Sequence, residues 1–186
     1  MAMDGCPFLL DDVLWFCSAR TGNYRSVDLW HAEFQDGEWK NWENAGKTLN
    51  LDYEVGEMHI SQDGRFLFFH SERMNGQGEY DIWMSSWENG NWTQPTNIWE
   101  INTEITEGWP FITEDGEELW FLRTYEGTPA IYRSEYIDGE WSEPELILSQ
   151  FAAEPSLDQD GNIYFAHHYF EDSQMIEADI YVAFRK

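Results

Sequence analysis

A unit of about 50 residues recurs four times along this 186-residue chain, and no other sequence feature constrains the fold as strongly. The clearest repeated segment is three residues long and ends in an apolar residue followed by an aromatic one. Its copies start 53, 49 and 49 residues apart. The copies are Asp28-Leu29-Trp30, Asp81-Ile82-Trp83, Ala130-Ile131-Tyr132 and Asp179-Ile180-Tyr181. This spacing predicts a repeat array with units at about 1–50, 51–104, 105–150 and 151–186, forming one domain over 1–186.

Each unit carries the signals of antiparallel strands. Asp-Gly pairs such as Asp63-Gly64 precede aromatic strands, and Gly accepts the positive φ of a tight turn. The tetrapeptide DGEW at 36–39 and 138–141, with a near copy at 89–92, marks a second turn into a fourth strand. The 17% aromatic content also favours strands over helices. We therefore predict an all-β fold, a β-propeller of four-stranded antiparallel blades, with an open sandwich as the alternative.

The order of motifs in the second unit resembles the TolB-like family of WD-like propeller repeats. That order is Asp63-Gly64, Phe68-Phe69, Ser71-Glu72-Arg73 and then Asp81-Ile82-Trp83. The Trp-x-x-Pro segment followed by Ile101-Asn102-Thr103 is also similar to the connector of that family. The resemblance covers nearly the whole chain and implies the propeller fold. It implies no single activity, because such repeats occur in periplasmic binding proteins, peptidase-associated domains and secreted proteins.

The last unit ends after its third strand signal. We therefore expect about four blades, the last without its outer strand. We interpret the chain as the C-terminal portion of a larger propeller, and the alternative is a small four-bladed ring with an incomplete blade. Open blade edges expose unpaired backbone groups, so they predict self-association. The start of the chain shows no secretory signal, and the resemblance suggests a periplasmic or secreted parent protein.

The net charge is −26, from 36 acidic and 10 basic residues. Such a surface repels phosphate backbones and anionic lipids, and no apolar run is long enough to span a bilayer. We expect neither a nucleic-acid partner nor membrane insertion. The charge suits a cationic ligand, a basic protein, a salty environment or simple solubility, and composition does not choose among them.

One acidic residue stands near the start of the first strand of each unit, at Asp4, Glu57, Glu107 and Glu154. Their offsets from the following strand residues are all odd, which predicts one common side. One interpretation is a ring of carboxylates that binds Ca²⁺, or that catalyses hydrolysis through Glu57, Glu107 and Glu154. The other is that the acids form ion pairs with arginines that follow the aromatic strands, namely Arg20, Arg73 and Arg123.

The fourth unit has Tyr169 where the other units have that arginine, and His167 precedes it. Glu57, His59, Glu154 and His167 could therefore form a site for a transition metal or for acid–base chemistry. The sequence has no closely spaced metal-ligand motif such as HExxH that would support this site. We therefore expect no cofactor, and Ca²⁺ is the one ion that we consider as an alternative. The sequence also lacks the GxSxG nucleophile motif and a phosphate-binding loop that leads into a helix.

These observations favour a binding module over an enzyme. We expect the acidic, loop-rich face to recognise a protein, a peptide or a glycan. The candidate ligand-binding residues are Asp4, Glu57, His59, Trp109, Glu154 and His167. The alternative is a glycosidase-like or metal-dependent hydrolase that uses the carboxylates at the channel mouth. Cys6 and Cys17 are symmetric about a turn and should face each other, either as a disulfide or as two buried thiols.

Overall fold

The computed structural model describes residues 3–51, 53–172 and 174–185, and these residues form mainly antiparallel strands. Four separate sheets follow one another along the chain and form the four blades of a β-propeller. The predicted all-β propeller is confirmed, and the open sandwich is excluded. The one helix among these residues spans only Lys47–Asn50 (α1), and none in this part of the chain is long and apolar enough to cross a membrane.

The strands of each blade are consecutive in sequence. Blade 1 contains β1 (Asp4–Leu10), β2 (Val13–Ser18), β3 (Asp28–Gln35) and β4 (Glu38–Asn44). Blade 2 contains β5 (Val55–Ile60), β6 (Phe66–Ser71), β7 (Asp81–Glu88), β8 (Asn91–Trp92) and β9 (Thr96–Asn97). Blade 3 contains β10 (Glu107–Ile112), β11 (Glu118–Tyr125), β12 (Thr128–Ile137), β13 (Glu140–Trp141) and β14 (Glu145–Leu148). Blade 4 contains β15 (Ala152–Leu157), β16 (Ile163–Glu171) and β17 (Gln174–Ala183).

The outer strands follow the turn and proline signals of the sequence. Asp36 and Gly37 of the first DGEW have φ values of 54° and 83°, the left-handed pair that a two-residue hairpin requires. The fourth strand is interrupted at Pro95 between β8 and β9, and at Pro144 between β13 and β14. Blade 1 has no proline there, and its β4 is continuous. Proline removes a ladder hydrogen bond, so it divides the outer strand in two.

The core lies between the blades. The second and third strands of blades 1, 2 and 3 pack against the first strand of the blade that follows. Leu29, Ile82 and Ile131 occupy the same position in β3, β7 and β12, and each is 0% exposed. Each belongs to a separate apolar cluster, so the core has one cluster for each junction between blades.

Blade 4 packs on blade 3, but it differs from the other blades in having three strands. No strand in the described part of the chain pairs with the second edge of β17. The prediction that the last blade lacks its outer strand is therefore confirmed. That the chain is a portion of a larger propeller stays a prediction.

Candidate functional site

The first strand of every blade contains a β-bulge at the same place. The register shifts just after Gly5, Gly56, Gly108 and Ala153. The residue that follows each of these has a left-handed backbone, with φ of 52° at Cys6, 30° at Glu57, 50° at Trp109 and 56° at Glu154. Residues other than Gly rarely adopt this conformation, and a bulge changes the direction in which a side chain points. Four equivalent bulges are thus arranged one to a blade.

The bulges surround a cavity on the propeller axis, which we call the channel mouth. Its volume is about 240 Å³. Three consecutive residues from the first strand of each blade line it: Cys6, Pro7, Phe8, Glu57, Met58, His59, Trp109, Pro110, Phe111, Glu154, Pro155 and Ser156. The bulged residue is the first of each three, so the four left-handed residues contribute to one cavity. Backbone strain at a shared cavity is typical of a functional site.

Two of the bulged residues, Glu57 and Glu154, are carboxylates. Burial raises the pKa of Glu57, a hydrogen bond from Cys6 opposes that rise, and the charge of Glu154 adds to it. Neither acid forms an ion pair within residues 3–51, 53–172 and 174–185. The channel mouth therefore holds two acids without a basic partner, one of them half-buried.

Asp4 and Glu107 occupy a different position, two residues before the bulge. Arg20 contacts Asp4 at 2.8 Å, and Arg123 contacts Glu107 at 2.8 Å. Glu107 is fully buried and also accepts hydrogen bonds from the backbone nitrogen and the hydroxyl of Thr103, at 2.9 and 2.6 Å. The predicted ion pairs are confirmed for these two acids, and neither acid lines the channel mouth.

Arg73 has no acidic partner of this kind among the described residues. Val55 lies where blades 1 and 3 have Asp4 and Glu107, and the acid of this strand, Glu57, is the bulged residue at the channel mouth. The guanidinium of Arg73 instead donates a hydrogen bond to the carbonyl of Leu49 and lies 5.2 Å from the ring centre of Phe69. The interpretation that Arg73 pairs with an acid of this ring is wrong for blade 2.

His59 forms part of the aromatic wall of the channel mouth. Its ring lies 4.5 Å from that of Phe8 and 4.6 Å from that of Phe111, measured between centroids. Its Nδ1 accepts a hydrogen bond of 3.4 Å from the backbone nitrogen of Ile112. Burial lowers the pKa of His59 to about 4, so the ring is neutral at pH 7. His59 therefore contributes a neutral ring and not a positive charge.

His167 lies outside the channel mouth, with its ring 5.0 Å from that of Tyr181. No group of three or more His, Cys, Asp and Glu side chains in the described chain is placed to hold a metal ion. The structure thus brings Glu57, His59 and Glu154 together at the channel mouth but leaves His167 outside it, so the four residues do not form the suggested metal site. Of the four acids in the suggested Ca²⁺-binding ring, Asp4, Glu57, Glu107 and Glu154, only Glu57 and Glu154 line the channel mouth, and Ca²⁺ binding stays a prediction.

His70 supports the bulges of blades 2 and 3, and sequence reasoning missed it. A Cβ atom added to Gly56 would lie 2.7 Å from Nε2 of His70, and one added to Gly108 would lie 2.9 Å from Nδ1. The rings of Tyr80 and Trp109 lie 5.4 and 5.2 Å from this imidazole. The histidine thus fills the space between two glycines that each precede a bulge. The signal in the sequence was the recurrence of Gly directly before Glu57 and Trp109.

Cys6 and Cys17 are both free. The bulge shifts the register so that Gly5, and not Cys6, lies opposite Cys17. The two thiols still interact, and the hydrogen bond with Cys17, followed by burial, raises the pKa of Cys6. Cys6 is therefore a neutral hydrogen-bond donor beside Glu57. The structure contains two free thiols, Cys17 buried and Cys6 partly exposed, and not the disulfide.

Comparison with known proteins gives a fold and no closer relationship. No family model matches the chain, and no curated protein matches it. Among solved structures, TolB from Acinetobacter baumannii is similar, with a TM-score of 0.66 and 19% identity over 97% of this chain and 40% of that chain. The β-propeller domain of the trilobed protease from Pyrococcus furiosus is similar at a TM-score of 0.54 and 13% identity, over 97% of this chain and 54% of that domain's chain.

A third similar structure is that of a nidogen/laminin complex, with a TM-score of 0.57 and 14% identity over 86% of this chain and 54% of that one. This chain therefore spans about half the length, or less, of these three solved chains. At such low identity these similarities establish the β-propeller fold that this chain shares with TolB.

Proposed function

We propose that this propeller is a binding module whose channel mouth receives a cationic group from a protein or peptide partner. The observation that carries the proposal is the placement of Glu57 and Glu154 on equivalent left-handed bulges of one cavity, with no basic partner among the described residues. A lysine or arginine side chain would supply the missing charge. The net charge of −26 would speed the approach of such a partner.

The walls of the channel mouth fit the same ligand. Trp109, Phe8 and Phe111 line the cavity beside the two acids, and aromatic faces attract guanidinium and ammonium groups. The cavity volume of about 240 Å³ is small for a drug-sized ligand and suits a single side chain. The nidogen/laminin complex among the similar structures supports a protein partner. A glycan ligand, which aromatic rings also accept, is the alternative within this proposal.

Calorimetric titration with arginine-rich and lysine-rich peptides tests this proposal. The double variant Glu57→Gln/Glu154→Gln should weaken binding by about tenfold or more, since two charge contacts in a partly buried site are lost. The matched control is Glu104→Gln/Glu126→Gln, which removes the same charge from two exposed residues outside the cavity. Equal weakening in both variants would mean that only the overall charge attracts the peptides and would overturn the proposal.

A second candidate function rests on the same two acids. A hydrolase that works by acid–base chemistry needs one protonated and one ionised carboxyl group, and burial raises the pKa of Glu57 while Glu154 stays exposed. Activity on chromogenic glycosides that Glu57→Gln abolishes, while Glu104→Gln leaves it unchanged, would support this function. Activity that survives Glu57→Gln would exclude Glu57 as the acid.

A further inference from the structure

The free edge of blade 4 exposes Ile180, a residue whose equivalents in the other three blades are buried. Its three equivalents, Leu29, Ile82 and Ile131, are each 0% exposed, whereas Ile180 is 82% exposed. The equivalents are covered because an outer strand, a linker or the next blade lies over them. Ile180 has the same place in its blade without such a cover in the described structure.

The linkers after blades 1 and 2 show what occupies this place. The backbone nitrogen of Leu29 donates to Oδ1 of Asn50 at 2.8 Å, and Nδ2 of Asn50 donates to the carbonyl of Leu29 at 2.9 Å. Asn102 makes the same two hydrogen bonds with Ile82, both at 2.8 Å. The asparagine side chain thus replaces one residue of a strand, because it offers one donor and one acceptor to the free edge.

A second asparagine and an apolar residue complete the pattern. Nδ2 of Asn44 donates to Asp28 at 2.7 Å, and Nδ2 of Asn97 donates to Asp81 at 2.7 Å. The residues directly before Asn50 and Asn102 are Leu49 and Ile101, both fully buried beside Leu29 and Ile82 respectively. In both blades, a first asparagine therefore donates a hydrogen bond to the aspartate. Further along the chain, an apolar residue is followed by a second asparagine, which hydrogen-bonds to the backbone of the strand edge.

Blade 4 contains both groups to which the asparagines bind in the other blades, namely the aspartate and the backbone of the residue after it. Asp179 is equivalent to Asp28 and Asp81, and it is exposed where those two are buried. Ile180 presents its backbone on an edge that no described strand pairs with. Tyr164, on the neighbouring strand, is 40% exposed, whereas its equivalents Trp15 and Trp120 are 9% and 6% exposed. A carboxylate that can accept a hydrogen bond, an unpaired strand edge and an exposed apolar surface thus occur together on blade 4.

We propose that β17 is a binding site for an extended peptide segment that adds a strand to blade 4. The segment carries one asparagine for Asp179 and, five or six residues after it, a second asparagine for Ile180 that an apolar residue directly precedes, as at Asn97–Asn102 and Asn44–Asn50. Strand addition supplies affinity through the backbone, and the two asparagines supply selectivity. A second copy is a poor source, because its own matching segments are already paired within its blades 1 and 2.

A labelled peptide that copies residues 94–103 is the direct probe, used with the full chain at physiological salt and measured by fluorescence anisotropy. We expect saturable binding and slowed hydrogen exchange at the Ile180 amide. A peptide with Asn102→Ala should bind about tenfold more weakly or worse, because the strand edge loses both hydrogen bonds. The protein variant Ile180→Lys should show the same loss. Ile137→Lys, a change at an exposed isoleucine of blade 3, should bind as the parent chain does.

Three results would overturn the proposal. The first is no binding at millimolar peptide, and the second is binding that Ile180→Lys and Asn102→Ala leave unchanged. The third is a dimer in sedimentation whose β17 amides exchange slowly without any peptide, which would make a second copy the occupant. Channel-mouth variants such as Glu57→Gln should not alter peptide binding at β17, so this result is independent of the proposed function.

Discussion

Glu57 and Glu107 are both acids of an innermost strand, yet they lie in different surroundings. Glu107 lies before its bulge, where Arg123 and Thr103 bind it, and it is 0% exposed. Glu57 is the bulged residue itself, and among the described residues it interacts with the Cys6 thiol and with the like charge of Glu154. The comparison shows that position relative to the bulge, and not residue type, decides whether an acid of this strand pairs with an arginine or lines the channel mouth without a basic partner among the described residues.

The largest effect is expected when the paired acid loses its partner. Arg123→Met should lower the free energy of unfolding by about 3–5 kcal/mol, because Glu107 would be left buried and uncompensated. Urea denaturation measures this change. Arg20→Met is the matched control, since Asp4 is half-exposed and that pair should contribute about 1 kcal/mol or less. Equal losses in the two variants would contradict the structural role of the buried pair.

A smaller effect is expected at the glycines that precede the bulges. Gly108→Ala should cost about 1–3 kcal/mol in thermal or urea unfolding, because its Cβ would press on His70, whose ring is enclosed by Tyr80 and Trp109. Gly5→Ala, at the same position of blade 1, has no atom within 4 Å of the new Cβ and should be nearly neutral. A neutral Gly108→Ala would show that His70 does not hold the bulge in place.

The smallest effect is expected at the unpaired acid. The pKa of Glu57 is higher in the folded chain than its ordinary value of 4.5, so the folded state binds more protons and stability falls as pH rises through that window. Glu57→Gln removes this loss and should raise the free energy of unfolding at pH 7 by about 0.5 kcal/mol. The difference should vanish near pH 4. A destabilised Glu57→Gln at pH 7 would mean that the carboxylate has a stabilising partner.

Most of the fold could be predicted from the sequence because it depends on local patterns. The Asp-Gly turns, the aromatic strands and the Trp-x-x-Pro segments each fix a strand within one unit, and their recurrence gives the number of blades. The ion pairs Asp4–Arg20 and Glu107–Arg123 also followed from their repeated spacing. These features need no knowledge of how the blades meet.

The channel mouth could be predicted only in part, because strict alternation along a strand fails at a bulge. An odd offset placed Asp4, Glu57, Glu107 and Glu154 on one side, but the extra residue in each first strand separates them into two sets. Cys6 was therefore not recognised as an equivalent of Glu57. Gly5, Gly56 and Gly108 were the available cue, since aligning the units on these glycines places the bulged residues in one column.

The four bulges also indicate which positions of such a chain can accept different amino acids. Each bulged residue lines the channel mouth, while other residues of the same strands form the hydrogen-bonded ladder. Cys, Glu, Trp and Glu already occupy this one position within a single chain, so the backbone tolerates a small thiol, an acid and a large ring. Substitutions at these four positions should therefore alter what the propeller binds while leaving the blades intact, which makes them a natural library for directed evolution.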